Sequence, residues 1–512
     1  MFSKINSICL HGMEAKNVAV EADVSDGLPG YSLVGYLASE VREAQDRVRT
    51  AIRNLKLSLP PKKVTINLSP ADLRKEGTGF DLAIAAAILA AYGFIPETGC
   101  DGSVLVGELG LDGKVKGIPG ILSLTEAAKS AGMKQMFLPQ ENLKEASVIE
   151  GIRLIGVTDL KMFIDIIQGK LSIQPFQRKH PQQRELIENR YGMDFSEING
   201  QQVLKRAAEV AASGMHNILM IGPAGSGKTM AAKRLPTILP SLELEECIEI
   251  SKIYSVCHLL NEKQPLITAR PFRAPHHSVT VQTLIGGGNR PRPGEISLAT
   301  GGVLFLDELP EMARASLEAL RQPLEERCVT VSRVMGSYQY PADFQLAAAM
   351  NPCRCGHYPD RSRCTCTDAQ IRAYLGKVSR PLLDRIDICV EAAPVSYEEI
   401  SSSGKNEDSA TIRKRVEEAR RIQTERFKGY PIRCNAQMSG SLVRKFCILG
   451  TKEATFLKHS FQDFKLSARM YDKILKIART TADMEGREAI TMTDLSEAIT
   501  YVRVREKYWN NG

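Results

Sequence analysis

The segment Gly222-Pro223-Ala224-Gly225-Ser226-Gly227-Lys228-Thr229 fits the spacing G-x-x-x-x-G-K-[ST]. It lies between the apolar run "HNILMIG" and a helical pattern. Glycines let backbone N–H groups turn inward around phosphate oxygens, Lys228 brings a cation to the β and γ positions, and the Thr229 hydroxyl suits Mg²⁺. The pattern predicts ATP and Mg²⁺ as ligands. Further along, "VLFLDE" is a buried-strand run ending in Asp307 and Glu308. Asp307 is expected to hold the Mg²⁺ shell and Glu308 to orient and deprotonate the attacking water. A third apolar run, "AAAMN", ends in Asn351, whose amide could reach the γ-phosphate or the water. Taken singly, Asn351 reads as a turn residue, and Arg385 ("SRPLLDRID") and Arg469 ("LSARMYD") read as surface or salt-bridging arginines. Together they complete a constellation for nucleoside triphosphate hydrolysis.

A second chemistry lies in "NPCRCGHYPDRSRCTC", where Cys353, Cys355, Cys364 and Cys366 form two C-x-C pairs across a turn containing Gly356 and Pro359. Two thiolate pairs so spaced can wrap a tetrahedral Zn²⁺; free thiols or a disulfide are the alternatives, the disulfide disfavoured in a reducing cytosol. His357 reads as a substitute ligand or as a solvated loop residue. Arg354, Arg361 and Arg363 either form a basic tip or merely solvate the loop. The other cysteines are scattered among apolar neighbours and read as buried thiols. The basic, Gly/Pro-rich stretch "ITARPFRAPHHSVTVQTLIGGGNRPRPG" is a candidate contact surface through Arg273, Arg290 and Arg292. Its His276–His277 pair has neither an i, i+4 spacing nor nearby carboxylates, so no metal site is expected there.

Those residues need elements to position them. Residues 1–170 alternate short strand-like runs with helical patterns, as in an α/β domain. Residues 171–191 are polar and aperiodic and read as a linker. Residues 192–395 carry continuous apolar runs, as strands of a parallel sheet buried on both faces require. Residues 396–512 are helical; in "SARMYDKILKIARTTADME", Met470, Ile474, Ile477 and Ala478 share one face. A length of 512 residues supports several domains, and a net charge of +8 is too dilute to decide a partner. The start has no leader-like pattern, and the longest apolar stretch, "FDLAIAAAILAAYGFI", is too short to span a bilayer. A cytoplasmic protein without membrane contact is expected.

"DFSEINGQ", "RPFRAPHHS", "GGGNRPRPGEISLATGGVLFLDELPE", "NPCRCG" and "LLDRIDI" resemble the ComM/YifB proteins of the magnesium-chelatase-like branch of AAA+ ATPases. The resemblance implies a P-loop AAA+ core with a helical lid, assembled as a homo-hexamer. It implies a helicase driving branch migration on single-stranded or branched DNA in natural transformation. Arg385 would be the finger toward a neighbour's ATP, with Arg469 the lid arginine sensing nucleotide in its own subunit. Arg380, where the family pattern has glycine, is a second candidate finger. "EGTGFDLAIAAAILAAYG", "VGELGLDGKVKGIPGIL" and "AAKSAGMKQMFLPQEN" resemble the Lon-protease fold. There the catalytic serine position falls on Gly79 and the lysine position on Leu122, which implies an inactive domain. The alternatives are a chelatase motor subunit for metal insertion into a porphyrin and an ATP-gated scaffold; intact Glu308 and Arg385 argue against the scaffold.

Overall fold

The computed structural model describes residues 1–512 except 175, 177–190, 262, 289–290, 334–335, 395–396, 398–405, 465 and 510–512. Most of the expected linker and the expected boundary at 395/396 lie outside the described residues.

In the N-terminal region, strand Lys63–Ser69 turns Val64, Ile66 and Leu68 inward, the period of two that a half-buried strand needs. It belongs to a seven-stranded mixed sheet ordered Gly30–Val34, Lys63–Ser69, Glu14–Ser25, Phe2–His11, Ser103–Leu105, Gln135–Pro139, Arg153–Val157. Helix Asp81–Ala91 packs on strands Phe2–His11 and Glu14–Ser25 and is buried nearly all round, as its Ala-rich composition requires. Asp81 is tolerated there because Arg47 donates two hydrogen bonds to its carboxylate, at 2.8 and 2.9 Å.

The second sheet has five parallel strands ordered Phe272–Arg273, Val303–Leu306, Gln345–Met350, Ile218–Ile221, Ile388–Glu391. Parallel strands release their C-terminal ends on a single edge, where α/β sheets bind ligands. Gly222, Asp307 and Asn351 therefore leave the sheet together, whereas Arg385 precedes strand Ile388–Glu391 on the opposite edge.

The C-terminal helices Ser409–Arg426, Gly440–Phe446, Thr451–Asp463, Ala468–Met484 and Met492–Trp509 pack directly on this sheet layer. Ile412, Val416, Ile474 and Leu495 share one core with Ala207, Ala211, Ile218 and Ile388, and the face of Met470, Ile474, Ile477 and Ala478 is buried as expected. The two halves of the chain are also joined: Leu122, Val148 and Ile149 pack with Leu242, Cys247, Ile250 and Leu266. Around that core Gly120 N–H donates to Ser255 O at 3.1 Å, and Lys252 pairs with Glu126 at 2.6 Å. Among the described residues, no helix is long and apolar enough to cross a membrane.

Candidate active site

Gly225 and Gly227 adopt φ of 78° and 82°, a left-handed backbone that glycine enters freely, and helix Lys228–Ile238 starts directly behind them. Its N-terminus therefore faces the loop, as anion binding requires. The Lys228 ammonium donates to Gly222 O at 2.8 Å and Pro223 O at 2.7 Å, and lies 3.4 Å from Asn351 Oδ1. Burial draws it below the usual lysine range, opposed by Asp307. Ser226 Oγ closes the loop onto Pro223 O at 2.8 Å.

Thr229 Oγ1 donates to Asp307 Oδ2 at 2.7 Å, so the hydroxyl and carboxylate assigned to Mg²⁺ already touch. An oxygen pair from two elements, open to water and to phosphate, fits Mg²⁺, which takes few protein ligands; when bound it would neutralise charge on the β and γ oxygens. Glu308 follows with φ 49°, a left-handed conformation uncommon outside glycine and a form of strain that clusters at functional sites. Its N–H donates to Asp307 Oδ1 at 2.9 Å and its carboxylate is exposed.

The Glu308 Oε2 atom also lies 3.2 Å from His277 Nδ1. Sequence reasoning missed this contact: His277 lies in a turn, and its carboxylate partner comes from beyond the end of strand Val303–Leu306. His276 stacks on His277 at 4.0 Å between centroids and pairs through Nδ1 with Ser278 Oγ at 2.8 Å.

Arg385 and Arg469 are not brought to this loop. Arg385 is anchored by Arg321 O at 3.1 Å, Pro381 O at 2.8 Å and the Glu325 carboxylate. Arg380 is exposed at the start of helix Arg380–Leu383. Arg469 Nη1 donates to Asp384 Oδ2 at 2.8 Å, and both arginines line a cavity of ≈300 Å³ with Asn217, Glu325 and Lys473. Burial would raise the Asp384 carboxyl, but Arg505 and Arg469 hold it below the usual range. Arg469 is thus placed beside Asp384 and Arg385 rather than beside Lys228. The cavity lies at the N-terminal edge of the sheet, and a four-residue strand separates it from the phosphate loop by about 10–13 Å.

The four cysteine sulfurs lie within 4.8 Å of one another; Cys353 Sγ is 3.3 Å from Cys355 Sγ and 3.8 Å from Cys364 Sγ, and Cys355 Sγ is 3.5 Å from Cys364 Sγ. Four sulfurs each about 2.3 Å from Zn²⁺ stand about 3.8 Å apart, so the cluster fits that ion. Tyr358 N–H donates to Cys353 Sγ at 3.4 Å, the orienting contact expected around a metal-bound thiolate. Among the described residues this is the only group of three or more potential ligands so gathered, and His357 is outside it. Arg361 pairs with Asp368 and stacks over Tyr358 at 5.1 Å, so it holds the loop rather than forming a free tip.

Arg273 is committed to Glu295 by hydrogen bonds of 2.6 and 2.7 Å, Arg290 lies outside the described residues, and Arg292 is exposed. Arg292 lines a cleft with Gly79, Cys9 and Tyr338 between the two halves of the chain. Leu122 is fully buried in the core that joins those halves.

Three family models match: magnesium chelatase subunit ChlI over residues 194–400, a further ChlI model over 20–142, and the ChlI C-terminal region over 406–502. The chain is 40% identical over 514 residues to competence protein ComM of Haemophilus influenzae, covering 98% of this chain and 97% of that one. It is 41% identical over 493 residues to YifB of Escherichia coli, covering 96% and 95%. Over 143 residues it is 30% identical to Lon protease 2 of Bacillus subtilis, covering 28% and 25%. Full-length similarity, the parallel sheet and the phosphate loop converge: the chain belongs to the ComM/YifB family of magnesium-chelatase-like AAA+ ATPases.

Proposed function

We propose that this ATPase is a cytoplasmic homo-hexameric motor on DNA, hydrolysing ATP at the boundaries between subunits to promote branch migration during natural transformation. One observation carries the reading. Arg385 and Arg469 stand together on the sheet edge opposite their own Thr229–Asp307 pair, a placement that supports their acting on a neighbour's nucleotide rather than on their own. Lys228 and the loop amides hold the phosphates, Asp307 and Thr229 the Mg²⁺, Asn351 the γ end, and Glu308 the water. Domain limits at 1–170, 192–395 and 396–512 belong to the same reading, with Zn²⁺ at Cys353, Cys355, Cys364 and Cys366.

DNA as cargo is supported by the relative named for competence. The test is ATP turnover by the purified chain with and without single-stranded and branched DNA, together with strand exchange on a four-way junction. Stimulated turnover and junction movement are expected. Basal hydrolysis indifferent to every DNA tested would remove the DNA assignment. The chelatase models favour a second reading, a motor for metal insertion into a porphyrin; that motor would need partner subunits and would ignore DNA.

A further inference from the structure

The cysteine cluster is built into the nucleotide pocket. Cys353 follows Asn351 by two residues, is fully buried, and shares a core with Ile221 and Met350, the last residues of the strands leading to Gly222 and Asn351. Gly356, at φ 83°, rests on the phosphate loop: a Cβ there would lie 3.8 Å from Pro223 Cα and 4.0 Å from Ala224 N. On the far side, the Tyr358 ring meets Tyr508 edge-on at 6.0 Å, and the Tyr508 phenol donates to Glu391. Glu391 ends the strand beside the loop, where Ala392 N–H donates to Ile221 O at 2.8 Å. Helix Asp368–Leu375 follows Cys366 directly, and its Tyr374 hydroxyl contacts the Asn351 backbone.

A segment this short, with most of residues 359–366 exposed, has little apolar surface with which to fix its own shape. Bonds to a metal would supply that order. We propose that Zn²⁺ at Cys353, Cys355, Cys364 and Cys366 braces the Pro223–Ala224 side of the phosphate loop, so that metal occupancy sets the affinity for ATP. The inference rests on the zinc reading given above and adds a dependence of the ATP site on it.

The test uses the full chain, purified under reducing conditions without chelator. Elemental analysis should find about one Zn per chain. Removing it with a chelator should weaken binding of a non-hydrolysable ATP analogue about tenfold, and added Zn²⁺ should restore it, with circular dichroism reporting the fold throughout. Gly356→Val supplies the second arm, because it keeps all four cysteines but forces a branched side chain into a left-handed backbone against the loop. It should retain zinc and lose about tenfold in analogue affinity; this arm decides if the chelated chain unfolds. A chain that neither carries nor takes up Zn²⁺ overturns the zinc reading and the coupling with it. Zinc present, with analogue affinity unchanged in a folded chelated chain, or in Gly356→Val where chelation unfolds the chain, overturns the coupling alone.

Discussion

His277 Nδ1 lies 3.2 Å from Glu308 Oε2, which fixes the carboxylate assigned to the attacking water from outside its own strand. Glu308 is otherwise exposed on a left-handed backbone, so this contact selects one direction for a side chain that has several.

His277→Ala should therefore lower kcat about tenfold with little change in KM for ATP, because a positioning contact acts on the attacking water rather than on phosphate binding. His277→Gln, which keeps a hydrogen-bonding group, should recover part of the loss. A rise in KM at constant kcat would instead place His277 in nucleotide binding.

Lys228→Ala and Glu308→Gln should separate binding from chemistry. Lys228 is the only side-chain cation within the phosphate loop, so its removal should abolish measurable ATP binding. Glu308→Gln keeps the loop and should bind ATP normally while losing about 10²–10⁴-fold in turnover. Equilibrium binding and single-turnover hydrolysis on the two variants distinguish them; wild-type turnover in Glu308→Gln would remove the base assignment.

Arg385→Ala and Arg469→Ala should both bind ATP and hydrolyse it poorly, and both should regain activity when mixed with Lys228→Ala. At a mixed boundary the Lys228→Ala subunit lends intact arginines to a subunit whose phosphate loop is complete. Rescue of Arg385→Ala but not Arg469→Ala, with subunit exchange demonstrated, would return Arg469 to its own subunit's site. Undiminished hydrolysis by Arg385→Ala would move the finger to exposed Arg380.

Gly79 and Leu122, the positions at which the resemblance to the Lon-protease fold implies a serine and a lysine, should respond oppositely to receiving them. A Cβ at Gly79 would stand 3.4 Å from Ile118 Cδ1, near ordinary contact and without a left-handed backbone, so Gly79→Ser should leave stability within about 1 kcal/mol of wild type. Leu122→Lys places an unpaired charge in the core joining the two halves and should cost about 3–5 kcal/mol. Thermal unfolding and limited proteolysis should show it, with no peptidase activity gained by either variant.

The phosphate loop, Asp307 and Asn351 are legible in the sequence because each follows an uninterrupted apolar run, and parallel pairing brings such run-ends to one edge. The cysteine cluster is legible because its ligands are local. The partners of Arg469, Arg273 and His277 are not, since each depends on where a distant element docks. The side on which Arg469 emerges follows from how helix Ala468–Met484 lies on the sheet, a matter of shared apolar surface rather than local pattern. Arg273 reads as a free cation until Glu295 is seen beside it. The packing role of Leu122 is visible only once Cys247 and Ile250 are opposite it.

The continuous cores limit where motion can occur. Swinging the C-terminal helices away from strand Ile218–Ile221, or the N-terminal sheet away from helix Leu244–Val256, would return side chains such as Ile474, Val416, Leu122 and Ile250 to water. At about 25 cal/mol per Å² of apolar surface, opening either seam is expensive beside a shift in polar contacts. The arginines on the outer face, by contrast, are held by exchangeable carboxylate and carbonyl partners such as Glu325, Pro381 and Asp384. In the proposed ring, the working stroke would then be a rocking of whole protomers against one another, each carrying its N-terminal sheet as a fixed collar, with the gear teeth at the seams between subunits.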